Sequence, residues 1–243
     1  MMVYTALITM TLKPKKSWET GIFSYRKEAL TEFIGTFILV FAGPGAVMVD
    51  HISDGSLSHL GVSFVFGAVV AAVIYATQHI SEAHINPAVT LAFWTGGFFA
   101  KQKVIPYIVA QCLGAIAASV MLRLTLGNVA DLGATLPLAG NWFQSLILEI
   151  ILTFILMFVI LGSGLDRRAA DGFAGLAIGL TVGLEAAFMG PITGASMNPA
   201  RSLGPALVGN IWQHHWLYWV APIIGAQLAV LIYGFLSNGF RDF

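Results

Sequence analysis

Two short stretches of this chain carry groups able to choose what passes near them. Asn86-Pro87-Ala88 lies in HISEAHINPAVTLAFW, and Asn198-Pro199-Ala200 lies in GPITGASMNPARSLGPA. Asn is favoured as a helix N-cap and Pro at the first helical position, so each phrase reads as a loop turning into a helix. Turn-prone or small residues precede both: Ser81 and Ala83 in one, Gly190, Pro191 and Gly194 in the other. A capping Asn accepts through its side-chain oxygen and keeps its NH₂ donors free to face a cavity. If two such helix starts meet from opposite sides, their dipoles and unpaired N–H groups point at one place. That arrangement makes no bond. It suits conduction of something uncharged and rejection of cations; the plainer reading is two ordinary caps on buried helices.

Arg201 follows the second phrase directly, in an apolar context. An arginine at membrane depth is costly and marks function or a paired anchor for the loop. Glu32 and Glu149 are embedded carboxylates at matching places. Each is expected to accept backbone N–H bonds from the loop of its own half. For Glu32 the alternative is a solvated acid near its helix start. His84 stands two residues before Asn86, either lining a pore or packed as a satisfied core residue. The six His show no ligand-like spacing, so no metal and no cofactor is assigned. Cys112, the one cysteine, reads as a buried spectator thiol.

Composition says what must position these groups. With 57% hydrophobic and 10% charged residues among 243, the chain falls far from the roughly 25% charged of soluble domains. A bilayer span needs about 20 mostly apolar residues. Six stretches qualify, near 29–49, 60–79, 103–124, 142–164, 172–190 and 215–236. The two phrases continue into apolar stretches, 86–96 and 198–208, too short to cross alone and suited to half-helices buried against protein. With the N-terminus inside, ten of the twelve Lys and Arg fall on internal segments, Arg123 and Arg201 being the exceptions. Both termini are therefore expected in the cytoplasm. Net charge is zero and gives no sign of a nucleic-acid partner.

The halves repeat. Glu32-Phe-Ile-Gly-Thr-Phe-Ile-Leu-Val-Phe41 matches Glu149-Ile-Ile-Leu-Thr-Phe-Ile-Leu-Met-Phe158 at seven of ten positions. Three spans per repeat is odd, so the repeats insert with opposite polarity and their loops enter from opposite faces. The expected organisation is a mobile cytoplasmic tail, 1–27, and a channel domain, 28–238, with repeats 28–124 and 142–238. The fold class is an all-α membrane protein of six spans plus two opposed re-entrant half-helices.

Six spans, an inverted repeat and two Asn-Pro-Ala loops resemble the aquaporin (major intrinsic protein) family over about residues 28 to 238. The second motif looks most like the plant nodulin-type branch. The resemblance implies a homotetramer in the plasma membrane with one pore per subunit. It places Arg201 at the narrowest constriction and carries over Phe66, Ala186 and Ala195 as the other filter positions. It also implies that Glu82, Ala83 and His84 offer carbonyls along the inner half-pore. Strict water channels usually hold His where Ala186 stands. This filter should therefore be wider, with apolar sides and one polar corner. Ser202 replaces the Asp usual in glycerol facilitators. Glu82 and Glu185 stand where the family more often has Gly; either could tune gating by pH. Asp166, Arg167, Arg168 and Asp171 read as a solvated connection between the halves.

The expected function is a passive channel for water and small neutral solutes, such as glycerol and undissociated metalloid acids, that excludes protons and ions. Strict water selectivity is the first alternative. An ion-coupled secondary transporter is the alternative of another class, since inverted repeats with broken helices also build those. A closed junctional protein is a third. No catalytic constellation stands clear of the motifs, so no enzymatic activity is expected.

Overall fold

The computed structural model describes residues 25–237 and Phe240. Most of the segment read as a tail, residues 1–24, lies outside the described residues. Six helices are long and apolar enough to cross a membrane. They are α1 (Arg26–Ile52), α2 (Ser58–Ser81), α4 (Lys101–Leu126), α5 (Trp142–Ile160), α6 (Ala174–Thr193) and α8 (Leu217–Leu236). A π-helical turn, Leu161–Leu165, extends α5. Two short helices, α3 (Pro87–Thr95) and α7 (Pro199–Gly209), follow the repeated phrases. The described residues contain no strand.

The two repeats are built alike. In the first, α1 packs against α4; in the second, α5 packs against α8; and α2 crosses α6 between them. The close approach needs a missing side chain at one point in each pair. A Cβ at Gly114 would collide with the backbone of Phe33 and Phe37, and one at Gly225 with that of Ile150 and Phe154. In hydrocarbon no water drives helices together, so small residues that let backbones touch take over that work. Large apolar side chains such as Phe64, Leu124, Leu184 and Leu231 face outward, as a lipid solvent permits. Cys112 is partly exposed rather than buried, because its side of α4 is not fully covered.

The half-helices start where a cap can form. Asn86 is extended (φ −156°) and its side chain accepts from Ala88 N. Asn198 (φ −147°) accepts from both Ala200 N and Arg201 N. The loops before them have positive φ at Glu82, Ala83 and Ile85, and at Gly194, Ala195 and Met197. Such backbone cannot satisfy itself, so side chains from neighbouring helices must do it.

Candidate functional site

Each loop is held by the carboxylate of its own repeat. Glu32 is fully buried. Its Oε1 accepts from Ser81 Oγ (2.7 Å) and His84 N (3.0 Å), and its Oε2 from Ile85 N (2.6 Å) and Gln111 Nε2 (2.7 Å). Glu149, also fully buried, accepts from Thr193 Oγ1 (2.7 Å) and Ser196 N (2.8 Å) on Oε1 and from Met197 N (2.9 Å) on Oε2. A tyrosine hydroxyl caps each preceding helix: Tyr107 donates to Ser81 O and Tyr218 to Thr193 O. Glu32 is thus not a solvated acid. Its desolvation is offset by four donors.

The caps meet. Asn86 Nδ2 donates to Met197 O at 2.8 Å, and Asn198 Nδ2 donates to Ile85 O at 2.8 Å. The expectation that both NH₂ groups are left free is therefore corrected: each spends one hydrogen on the opposite loop. The reason is the positive φ of Ile85 and Met197, which leaves a carbonyl to be satisfied. The exchange fixes the amide planes, and one hydrogen per amide remains. Both Asn residues border a single cavity of about 280 Å³.

That cavity also takes in Phe66, Ala186, Ala195 and Arg201. Arg201, 4% exposed, donates from Nη1 to Gly133 O at 2.8 Å. Its guanidinium carbon lies 5.0 Å from the centroid of the Phe66 ring, within the range of a cation–π contact. Its Nε has no partner among the described residues. Phe66 in turn rests on bare backbone, since a Cβ at Gly43 would collide with the ring. Ala186 and Ala195 supply only methyl groups to this end. Pro87 and Pro199 are buried behind the caps, and Ala88 and Ala200 are wholly enclosed. Towards the other end the wall is apolar on one side, with Val70, Ile74, Leu156 and Ile178, and carries the loop residues Glu82 to Asn86 on the other.

His84 borders the cavity inside an aromatic cage of Phe93, Phe99 and Tyr107. Its Nδ1 lies 3.1 Å from Thr90 Oγ1. Glu82 also borders the cavity, with Oε2 at 3.6 Å from His84 Nε2. Glu185 turns away from solvent. It is 2% exposed, inside the helix bundle, and neither oxygen has a partner among the described residues. Asp166 is not a solvated loop acid either. It receives Arg168 from side chain and backbone and the Tyr233 hydroxyl. Those bonds to Arg168 hold its carboxyl below the usual aspartate range.

Several partners escaped the sequence reading. Gln111 and Thr90 extend the Glu32 network, and Thr135 donates to Ser202 Oγ, which pairs with Ser196 Oγ. Arg123, one of the two basic residues away from the internal segments, donates to Val208 O near the end of α7. A signal existed for some of them. Ser81 and Thr193 each stand five residues before their Asn, with Tyr107 and Tyr218 in matching helices.

The family model for the major intrinsic proteins matches residues 19–233. The chain is 46% identical over 211 residues to Aquaporin NIP1-1 of Zea mays, covering 86% of this chain and 74% of that one. It is 44% identical over 239 residues to the probable aquaporin AqpM of Archaeoglobus fulgidus, covering 87% and 97%. The solved aquaglyceroporin of Plasmodium falciparum superposes with a TM-score of 0.78 at 26% identity, over 86% of this chain and 95% of that one. With a family match over most of its length and both motif loops in place, the chain belongs to the major intrinsic protein family and carries the aquaporin fold.

Proposed function

We propose that this protein is a passive transmembrane channel for water and small neutral solutes that turns back protons and cations. The observation that carries the reading is the reciprocal Asn86–Asn198 brace at the meeting point of α3 and α7, bordering the cavity. A water at that point meets two fixed amide donors backed by two helix N-termini, and turns its oxygen to them. A chain of waters oriented outward from the centre in both directions cannot relay a proton through it, and the positive field repels cations. No energy source or reaction is required.

Arg201 and Phe66 form the polar and aromatic sides of the selectivity filter, with Ala186 and Ala195 as its small sides. Arg201 offers hydrogen bonds to a passing hydroxyl and adds to cation exclusion. The two alanines leave room for glycerol or an undissociated metalloid acid. Glu32 and Glu149 keep the loops in shape, and His84 belongs to the inner wall. The relatives fit this class by name: two are aquaporins and the solved neighbour is an aquaglyceroporin. We place the protein in the plasma membrane as a homotetramer. Both ends lie in the cytoplasm, the side on which ten of twelve basic residues fall.

Stopped-flow light scattering on proteoliposomes tests the reading, with water, glycerol and boric acid compared in one preparation. Water flow well above empty vesicles, without proton leak, supports a channel. Flow equal to empty vesicles ends the proposal. Glycerol or boric acid entry then separates a solute facilitator from a strict water channel.

A further inference from the structure

The last turn of α6 lacks one of its own hydrogen bonds. Pro191 stands there inside the helix. Proline has no N–H, so the bond that residue 191 would give to Ala187 O is missing. Another helix supplies it. His59, in the first turn of α2, places Nε2 at 2.7 Å from Ala187 O. A carbonyl only accepts, so Nε2 carries a hydrogen and donates it. The ring lies close over Gly190, where a Cβ would come within 3.1 Å of its Cε1.

The same two helices touch at a second place. A Cβ at Gly67 of α2 would collide with Gly179 O at 2.6 Å and Gly183 Cα at 3.0 Å, both on α6. A Cβ at Gly179 would in turn meet Gly67 O at 2.6 Å. Bare backbone in contact leaves no slack at this crossing. Phe66 lies between the two ties along α2, and Ala186 lies between them along α6. Both border the cavity. Their separation is thus held from two sides, by the glycine crossing and by the His59 bond.

We infer that His59 is a positioning residue for the proposed filter. Its bond to Ala187 O fixes the spacing of Phe66 and Ala186, and with it the largest solute that passes. This rests on the channel reading above. His59 acts from outside, because it is not among the described residues that border the cavity. Without its bond the last turn of α6 is free to lean away from α2 about the glycine crossing. The filter then admits a larger solute.

The test is the size cut-off of proteoliposomes, read by stopped-flow entry of polyols from glycerol to sorbitol, set against water. His59→Leu removes the donor. It should raise entry of the smallest polyol that wild type excludes about threefold or more relative to water. His59→Gln keeps an N–H of similar reach and should keep the wild-type cut-off. Adding Pro191→Ala to His59→Leu returns an N–H to Ala187 O, so melting in detergent should recover. The wider cut-off should remain in that double variant, because α2 stays untied. Should His59→Leu alone fail to fold, the double variant gives the same reading.

A wild-type cut-off in the Leu variants, or a Gln variant that widens as far, would overturn the positioning role. So would a cut-off restored by Pro191→Ala, which would make His59 a repair of the helix and nothing more. Brisk water flow with an unchanged cut-off sinks this role alone. Wild-type flow no faster than empty vesicles sinks the channel reading and the role with it.

Discussion

Counted from its Asn, each re-entrant loop places a hydroxyl five residues upstream, Ser81 or Thr193, and gives it to the carboxylate of its repeat. Beyond that frame the loops diverge. The first is held sideways by Gln111 and Thr90 and carries His84 and Glu82. The second has Ser196 where the first has His84, Gly194 for Glu82, Arg201 for Val89 and Ser202 for Thr90. Its sideways support is the hydroxyl chain Thr135–Ser202–Ser196. The shared residues hold the loops; the differing ones set the two ends of the cavity apart. One end holds the Arg201 guanidinium, and the other the Glu82 carboxylate and the His84 imidazole.

Removing a shared carboxylate should do the most damage. Glu32→Ala strands four donors and Glu149→Ala three. At about 1–3 kcal/mol per buried unpaired group, both variants should lose several kcal/mol and most of their water permeability. Melting in detergent and stopped-flow should place Glu32→Ala at or below Glu149→Ala. If either melts like wild type, its carboxylate is not the loop's support.

Next comes the proposed filter. Arg201→Val writes the first repeat's residue into the second. It should admit a proton or cation leak, read by a pH-sensitive dye in vesicles, while water flow survives. Tight vesicles would mean that the Asn pair alone excludes charge. Ala186→His should cut glycerol entry about tenfold or more and spare water; unchanged glycerol entry would show that the methyl side does not set the width.

Position 82/194 gives effects of opposite sign. Glu82→Gly should raise stability by about 1 kcal/mol through relief of left-handed strain. Gly194→Ala should lower it, because a Cβ there meets Thr135 at 2.9 Å. Equal shifts in melting temperature would break the comparison.

The smallest effect is expected at the connection between the repeats. Arg168 holds the Asp166 carboxyl below its ordinary value, about 3.9 in unfolded chains. The stability it adds is present above that value and is lost only as pH falls further. Asp166→Asn should therefore lower the melting temperature slightly and by the same amount at every pH between 5 and 8. A loss that varies across that range would mean that Arg168 does not hold the Asp166 carboxylate ionised.

Much of the frame was legible. Both caps, the half-helices and all six spans follow from residue type and apolar length, each within a few residues of the observed bounds. The filter side chains were reachable only through resemblance, because nothing local in Phe66 or Ala186 says that they share a cavity with Arg201. Gln111 reads in sequence as one polar residue in a span; its use depends on a carboxylate and a hydroxyl that other helices bring to it.

By itself the sequence determined that the chain crosses a membrane six times in two inverted halves, and that each half starts a short helix at a capping Asn. Those are properties of composition, periodicity and local backbone preference, and they need no partner. Tertiary structure alone decided where the donors go. Each Asn amide braces the opposite loop, Glu185 turns into the bundle, and Glu82 comes to lie 3.6 Å from the His84 imidazole. Hydrogen bonds are settled by what stands within about 3 Å, and folding brings residues more than a hundred positions apart to that distance.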